Sequence, residues 1–139
     1  MMIFFDMFLT NNVLTESLNK DFKVFEIVLI KNTGAAFSFL ENHTLLLILV
    51  SFIALFIILY ELFKNTSKYS TLTYFFSSIF IAGIFCNLYE RISLGYVRDF
   101  ISIKYINFPI FNISDILINL AVLAIIFLVI TKKHIKNDR

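Results

Sequence analysis

Apolar residues along this chain gather into long unbroken stretches rather than short amphipathic ones. Thr44 to Tyr60 carries no charge, and neither does Tyr69 to Tyr89. Tyr105 to Thr131 carries one, Asp115. A hydrocarbon core of about 30 Å is crossed by roughly 20 residues of helix. The first two stretches therefore predict one crossing each, with flanking residues counted. The third is too long for one crossing. Pro109 disfavours helix at Phe108, so the last helix is expected to begin after Phe111, near Ile113. Met1 to Leu9 is apolar apart from Asp6 but too short for a span. It reads as half of a first helix or as a short helix lying partly in the membrane. Four helices with the first incomplete is the favoured reading.

From Phe22 to Ile30 the pattern changes. Phe22, Val24, Glu26, Val28 and Ile30 alternate with Lys23, Phe25, Ile27 and Leu29. The β-branched content predicts a strand, and Asn32-Thr33-Gly34 predicts a turn after it. Extended chain between membrane helices belongs at the interface or inside protein, because lipid offers its backbone no hydrogen bonds.

Composition agrees with a membrane solvent. The chain has 139 residues, 59% hydrophobic and 16% charged, with a mean hydropathy of +0.84. A soluble domain needs more polar surface. The length predicts a single domain over residues 1–139. A net charge of +2 is too small to point to nucleic acid. The lysines instead report topology. Lys64 and Lys68 follow the Thr44 stretch, and Lys132, Lys133, Lys136 and Arg139 close the chain. These segments lie two crossings apart and share a side, which the positive-inside rule makes cytoplasmic. Arg91, Arg98 and Lys104, interleaved with Glu90 and Asp99, fall on the outer side. No secretory leader is expected at the N-terminus, which lacks a basic segment and a small-residue cleavage site.

Several chemistries find no support. The single cysteine, Cys86, excludes an internal disulfide and a multi-cysteine zinc site and is expected to be a packing residue. There is no H-E-x-x-H, and His43 and His134 fall at opposite ends of the architecture, so no metal is expected. No G-x-S-x-G is present. Ser38 has no evident base, and Lys31 is near it in sequence only. No cofactor is expected.

The informative residues are two aspartates. A carboxylate close to the membrane is expensive and normally has a partner and a task. Asp115 has a structural explanation too: Asn112 could cap the last helix with Asp115 three residues on, as in a capping box. Taken alone, cap and catalyst weigh equally, and the roles are compatible. Asp99 sits in the connection between the last two helices. It could be a solvated loop carboxylate paired with Arg98, as Arg91 could pair with Glu90. The connection is short, however, and starts and ends at one membrane face, so it can fold Asp99 back toward the mouth of the last helix. Two carboxylates brought together share a proton, one pKa rising above its reference of about 3.9. One then takes a proton from water while the other donates to a carbonyl oxygen.

Three blocks resemble those of bacterial lipoprotein signal peptidases, between about Lys31 and Leu120. They are Asn32-Thr33-Gly34-Ala35-Ala36-Phe37-Ser38; Asn87-Leu88-Tyr89-Glu90-Arg91 with Leu94-Gly95-Tyr96-Val97-Arg98-Asp99-Phe100; and Phe108-Pro109-Ile110-Phe111-Asn112-Ile113-Ser114-Asp115. The resemblance implies an all-α, four-transmembrane-helix bundle with a small extracytoplasmic β-cradle. It implies that Asp99 and Asp115 are a catalytic dyad and that Asn32, Asn87, Arg91 and Asn112 surround the substrate. The implied substrate is a diacylglyceryl-modified prolipoprotein, cut before its lipidated cysteine. The implied inhibitor is globomycin. A monomer in the bacterial inner membrane is expected, with its site extracytoplasmic and its C-terminus cytoplasmic. The chain departs from the family pattern at Cys86, where glycine is usual, at Glu90, where aspartate is common, and at Thr10, where lysine follows Asp6 by four. Two other readings are an inactive homologue with a short N-terminus and a small four-helix transporter. A transporter needs an ionisable group near the middle of a span, whereas these carboxylates cluster at helix ends.

Overall fold

The computed structural model describes residues 20–35 and 39–135, and among these it has three helices and a three-stranded sheet. Helix α1 runs Thr44–Lys64, α2 Thr71–Leu94 and α3 Ile113–Ile130. Their 21, 24 and 18 residues give lengths of about 27 to 36 Å at the α-helical rise, which suits a bilayer core. Their outer faces are apolar and bare: Leu45, Phe56 and Phe63 on α1 and Leu123, Phe127 and Ile130 on α3 are all 60% exposed or more. So much contiguous apolar surface is stable in lipid and not in water. The expected first helix, with Asp6 and Thr10, lies outside the described residues, as do Ala36, Phe37, Ser38, Lys136 and Arg139.

The last helix starts at Ile113, as Pro109 led one to expect, and Asn112 caps it through a complete capping box with Asp115. Ser70 caps α2 by accepting from the Thr73 N–H. Gly95 ends α2 in the left-handed region at φ 83°, its N–H returning to the Arg91 carbonyl. Glycine reaches that conformation without steric cost, and the chain turns back sharply toward the helix it has just left. Helices α2 and α3 form the most extensive helix contact. Gly83 sets their approach: a Cβ there would lie 2.7 Å from Ile118 Cγ1 and 3.0 Å from the Ser114 carbonyl oxygen. That closeness brings Asn87, one turn further along α2, against the first turn of α3. Cys86 is buried beside it as a packing residue.

The sheet has strands β1 (Lys20–Asp21), β2 (Phe25–Asn32) and β3 (Val97–Ile103) in the order β1-β2-β3, all antiparallel. β2 is the strand expected from the alternating segment, starting three residues later and ending two residues later. β3 falls in the connection that the sequence left without structure. It pairs Phe25 with Ile103 at one end and Asn32 with Val97 at the other. Phe111 then exchanges backbone hydrogen bonds with Ile101, at 3.1 and 2.9 Å. This short ladder draws the entrance of α3 alongside β3, so Asp99 and Asn112 meet.

Candidate active site

Three asparagines fix the orientation of two carboxylates, and the local fold fixes each asparagine. Asn32 ends β2, and its Oδ1 accepts the Gly34 N–H at 2.9 Å in the turn that follows. Its Nδ2 therefore points the other way and donates to Asp99 Oδ2 at 2.7 Å. Asn112 spends its Oδ1 on the Asp115 N–H as the helix cap, at 2.9 Å. Its Nδ2 is left to reach Asp99 Oδ1 at 2.9 Å and Asn87 Oδ1 at 3.1 Å. Asn87, with its oxygen so occupied, donates through Nδ2 to Asp115 Oδ1 at 2.9 Å. The other oxygen of Asp115 accepts the Asn112 backbone N–H at 3.2 Å. An unbroken chain of side-chain hydrogen bonds thus runs Asp99, Asn112, Asn87, Asp115.

Burial and charge act on Asp99 in opposite senses. It is 2% exposed, and loss of hydration is the largest influence, pushing its pKa up from 3.8 to about 6. The negative charge of Asp115 pushes the same way, while the N–H donors of Asn32 and Asn112 and the Arg91 guanidinium pull it down. An Asp of this kind keeps its proton into the mildly acidic range, where an exposed carboxyl has lost it.

Arg91 lies one turn beyond Asn87 on α2. Its Nη2 donates to the Gly34 carbonyl at 2.8 Å, joining the helix to the turn after β2. Its Nε is buried without a partner among the described residues. A cavity of about 1230 Å³ opens over these groups. Asn32, Asn87, Arg91, Asp99 and Asp115 line it, with Ile116, Leu120 and Leu123 along one apolar wall and Phe108 to Phe111 along another. Asn112, 3% exposed, lies beneath them. All six residues named from sequence are brought to one place.

Glu90 pairs with Arg98, a pairing not among those weighed in the sequence. Arg98 faces Glu90, which is only 6% exposed. Glu90 Oε2 accepts the Arg98 backbone N–H at 2.7 Å, and Oε1 accepts from Nε at 2.7 Å and from Nη2. The hydrogen bonds of Glu90 thus go to Arg98, while Arg91 donates to the Gly34 carbonyl. The left-handed cap at Gly95 is the reason: it folds residue 98 back onto the last turn of α2. The spacing Glu90, Gly95, Arg98 was a signal that could have been read. Asn119, one turn below Asp115 and lining the same cavity, was also passed over.

Comparison with known proteins gives the family. Residues 1–131 match the family model described as Signal peptidase (SPase) II. A protein named "Lipoprotein signal peptidase" from Caldicellulosiruptor bescii is 39% identical over 107 residues, covering 77% of this chain and 68% of that one. Another of that name from Dehalococcoides mccartyi is 32% identical over 133 residues, covering 94% and 82%. A bacterial membrane enzyme solved by the in meso method at 2.3 Å superposes with a TM-score of 0.81 at 25% identity, over 99% of this chain and 87% of that one. The chain belongs to the signal peptidase II family. It is a multi-pass membrane peptidase.

Proposed function

We propose that this protein removes the signal peptide from diacylglyceryl-modified prolipoproteins as an aspartic endopeptidase, with Asp99 and Asp115 as its catalytic pair. The observation that carries this reading is the hydrogen-bonded chain joining the two carboxylates under one cavity. A water held between them meets the scissile carbonyl carbon. Asp99, buried and reluctant to ionise, donates its proton to the carbonyl oxygen as Asp115 takes one from the water. The tetrahedral intermediate collapses when the proton on Asp115 passes to the leaving amine of the lipidated cysteine and the intermediate's hydroxyl returns its own proton to Asp99. No covalent enzyme intermediate is formed. Asn32, Arg91 and Asn87 offer donors along the cavity for the extended substrate backbone, while Asn112 holds both carboxylates from below.

In this reading the domain works as a monomer in the bacterial inner membrane. The lysines at 64, 68, 132 and 133 mark the cytoplasmic side, which leaves the cavity on the extracytoplasmic side, beside a sheet at the interface. A first helix supplied by the N-terminal residues completes a four-helix bundle. Purified protein incubated with a diacylglyceryl-prolipoprotein is expected to release a signal peptide ending just before the lipidated cysteine, and globomycin is expected to block release. Absence of cleavage, or cleavage at another bond, would refute the proposal.

The acid role of Asp99 has a pH signature. The active form needs Asp99 protonated, so kcat/KM falls as pH rises through about 6. The Asn32 N–H stabilises the ionised carboxyl and lowers this pKa. Asn32→Leu removes that donor, so the alkaline limb of the pH profile is expected to move to higher pH. A limb that stays in place or moves down would show that Asp99 is not the group titrating.

A further inference from the structure

Asn119 is the sole polar side chain on α3 between Asp115 and Ile130. It lies one turn below Asp115 on the same face, about 6 Å deeper along the helix, and lines the same cavity with Ile116, Leu120 and Leu123. One of its two amide N–H groups is spent on the Asp115 carbonyl at 2.8 Å. The second N–H and the amide oxygen have no partner among the described residues, and the side chain is exposed. Polar groups left open within a span are costly and mark function by default. Back-bonding to the carbonyl four residues earlier is common for a polar helical side chain. It accounts for one donor here and leaves the rest of the amide facing the cavity.

The substrate supplies a need at that depth. Its signal segment reaches the site as an apolar helix from the bilayer, yet the scissile peptide must be extended to meet two carboxylates. The helix therefore ends just ahead of the cut, and the last four carbonyls of any helix lack intrahelical partners. Lipid offers no donor to satisfy them. We propose that Asn119 caps the carboxyl end of the substrate's signal helix, donating its unspent N–H to a terminal carbonyl where the chain unwinds toward Asp115. This rests on the peptidase reading of the Asp99–Asp115 cavity.

The test compares Asn119→Leu and Asn119→Ser with wild type on two substrates. One is a full-length diacylglyceryl-prolipoprotein. The other is a diacylglyceryl peptide starting a few residues before the cut and too short to bring a helix. A single net hydrogen bond corresponds to about tenfold in kcat/KM. The leucine variant is expected to lose about ten times more on the full-length substrate than on the short one. Serine, which keeps a donor, is expected to recover part of that difference. Equal losses on the two substrates, or no loss on either, would overturn the capping role. Wild-type protein that cleaves neither substrate would instead overturn the peptidase reading beneath it.

Discussion

Asp99→Asn and Asp115→Asn are each expected to lower turnover of lipidated prolipoprotein by at least about a hundredfold, since positioned acid–base groups each supply roughly 10²–10⁴. An asparagine at 99 keeps the shape of the buried side chain but can give no proton to the carbonyl oxygen. An asparagine at 115 can still cap α3 through its amide oxygen but cannot accept a proton from water. Folding is expected to survive both changes. At 99, exchanging a buried carboxyl for a neutral group removes a desolvation cost. That gain opposes the poorer match of an amide N–H to the Asn32 or Asn112 donors. The measurement is release of signal peptide by mass spectrometry, with thermal unfolding in detergent to show that each variant is folded. A folded variant with near-normal turnover would remove its residue from the dyad.

Glu90→Ala should give the largest loss of stability. Its carboxylate is buried and accepts from both the backbone and the guanidinium of Arg98. Removing one partner of such a pair typically costs about 3–5 kcal/mol, here because the Arg98 N–H and guanidinium lose the carboxylate they donate to. The consequence reaches chemistry because residue 98 precedes Asp99 on β3. With the Arg98 N–H released, the start of the strand loses its seat on α2, and Asp99 loses its place over Asn112. Glu90→Gln, which keeps one acceptor for that N–H, is expected to fall between alanine and wild type in both melting temperature and turnover. Replacing Glu90 and Arg98 together by leucine separates the effects. Apolar replacement of a buried pair is often neutral for stability, so the melting temperature should recover while turnover stays low. Recovery of both would show that the clamp stabilises the fold without seating the strand.

The helices were legible because hydropathy and helix length are local properties of the chain. The start of α3 was legible for the same reason: Pro109 excludes helix before it, and Asn112 with Asp115 forms a cap within one turn. That cap also shows why Asp115 alone could not be assigned. Its Oδ2 serves the helix end while its Oδ1 faces Asn87 across the α2–α3 contact, and only the second fact concerns function. β3 was not legible. Val97, Asp99 and Phe100 are all buried, so the strand lacks the one-sided alternation that reveals a half-exposed strand. Its pairing partner β2 is some seventy residues away. Contacts of that range leave no trace in local pattern, and they decide where Asp99 points. The Glu90 partner of Arg98 was not legible for a related reason. Proximity in sequence favoured Asp99, but adjacent residues on a strand face opposite ways, which sends Arg98 to Glu90.

The asparagines were named by family resemblance, and their geometry supplies the physics. Asn32 and Asn112 spend their oxygens on donors supplied by the local fold, the Gly34 turn and the helix cap, and Asn87 spends its own on the Asn112 amide across the α2–α3 contact. Each is thereby obliged to present N–H groups to a carboxylate. That arrangement holds two acids at one site against their mutual repulsion, with Arg91 adding positive charge.

The most direct test of the central claim is kcat/KM of the double variant, Asp99→Asn with Asp115→Asn, beside each single variant on the same prolipoprotein. If the two carboxylates act as a unit on one water, the second substitution has nothing left to remove, and all three variants should lie within about tenfold of one another. Losses that multiply, or a single variant that retains most of its activity, would show that Asp99 and Asp115 do not share one catalytic step.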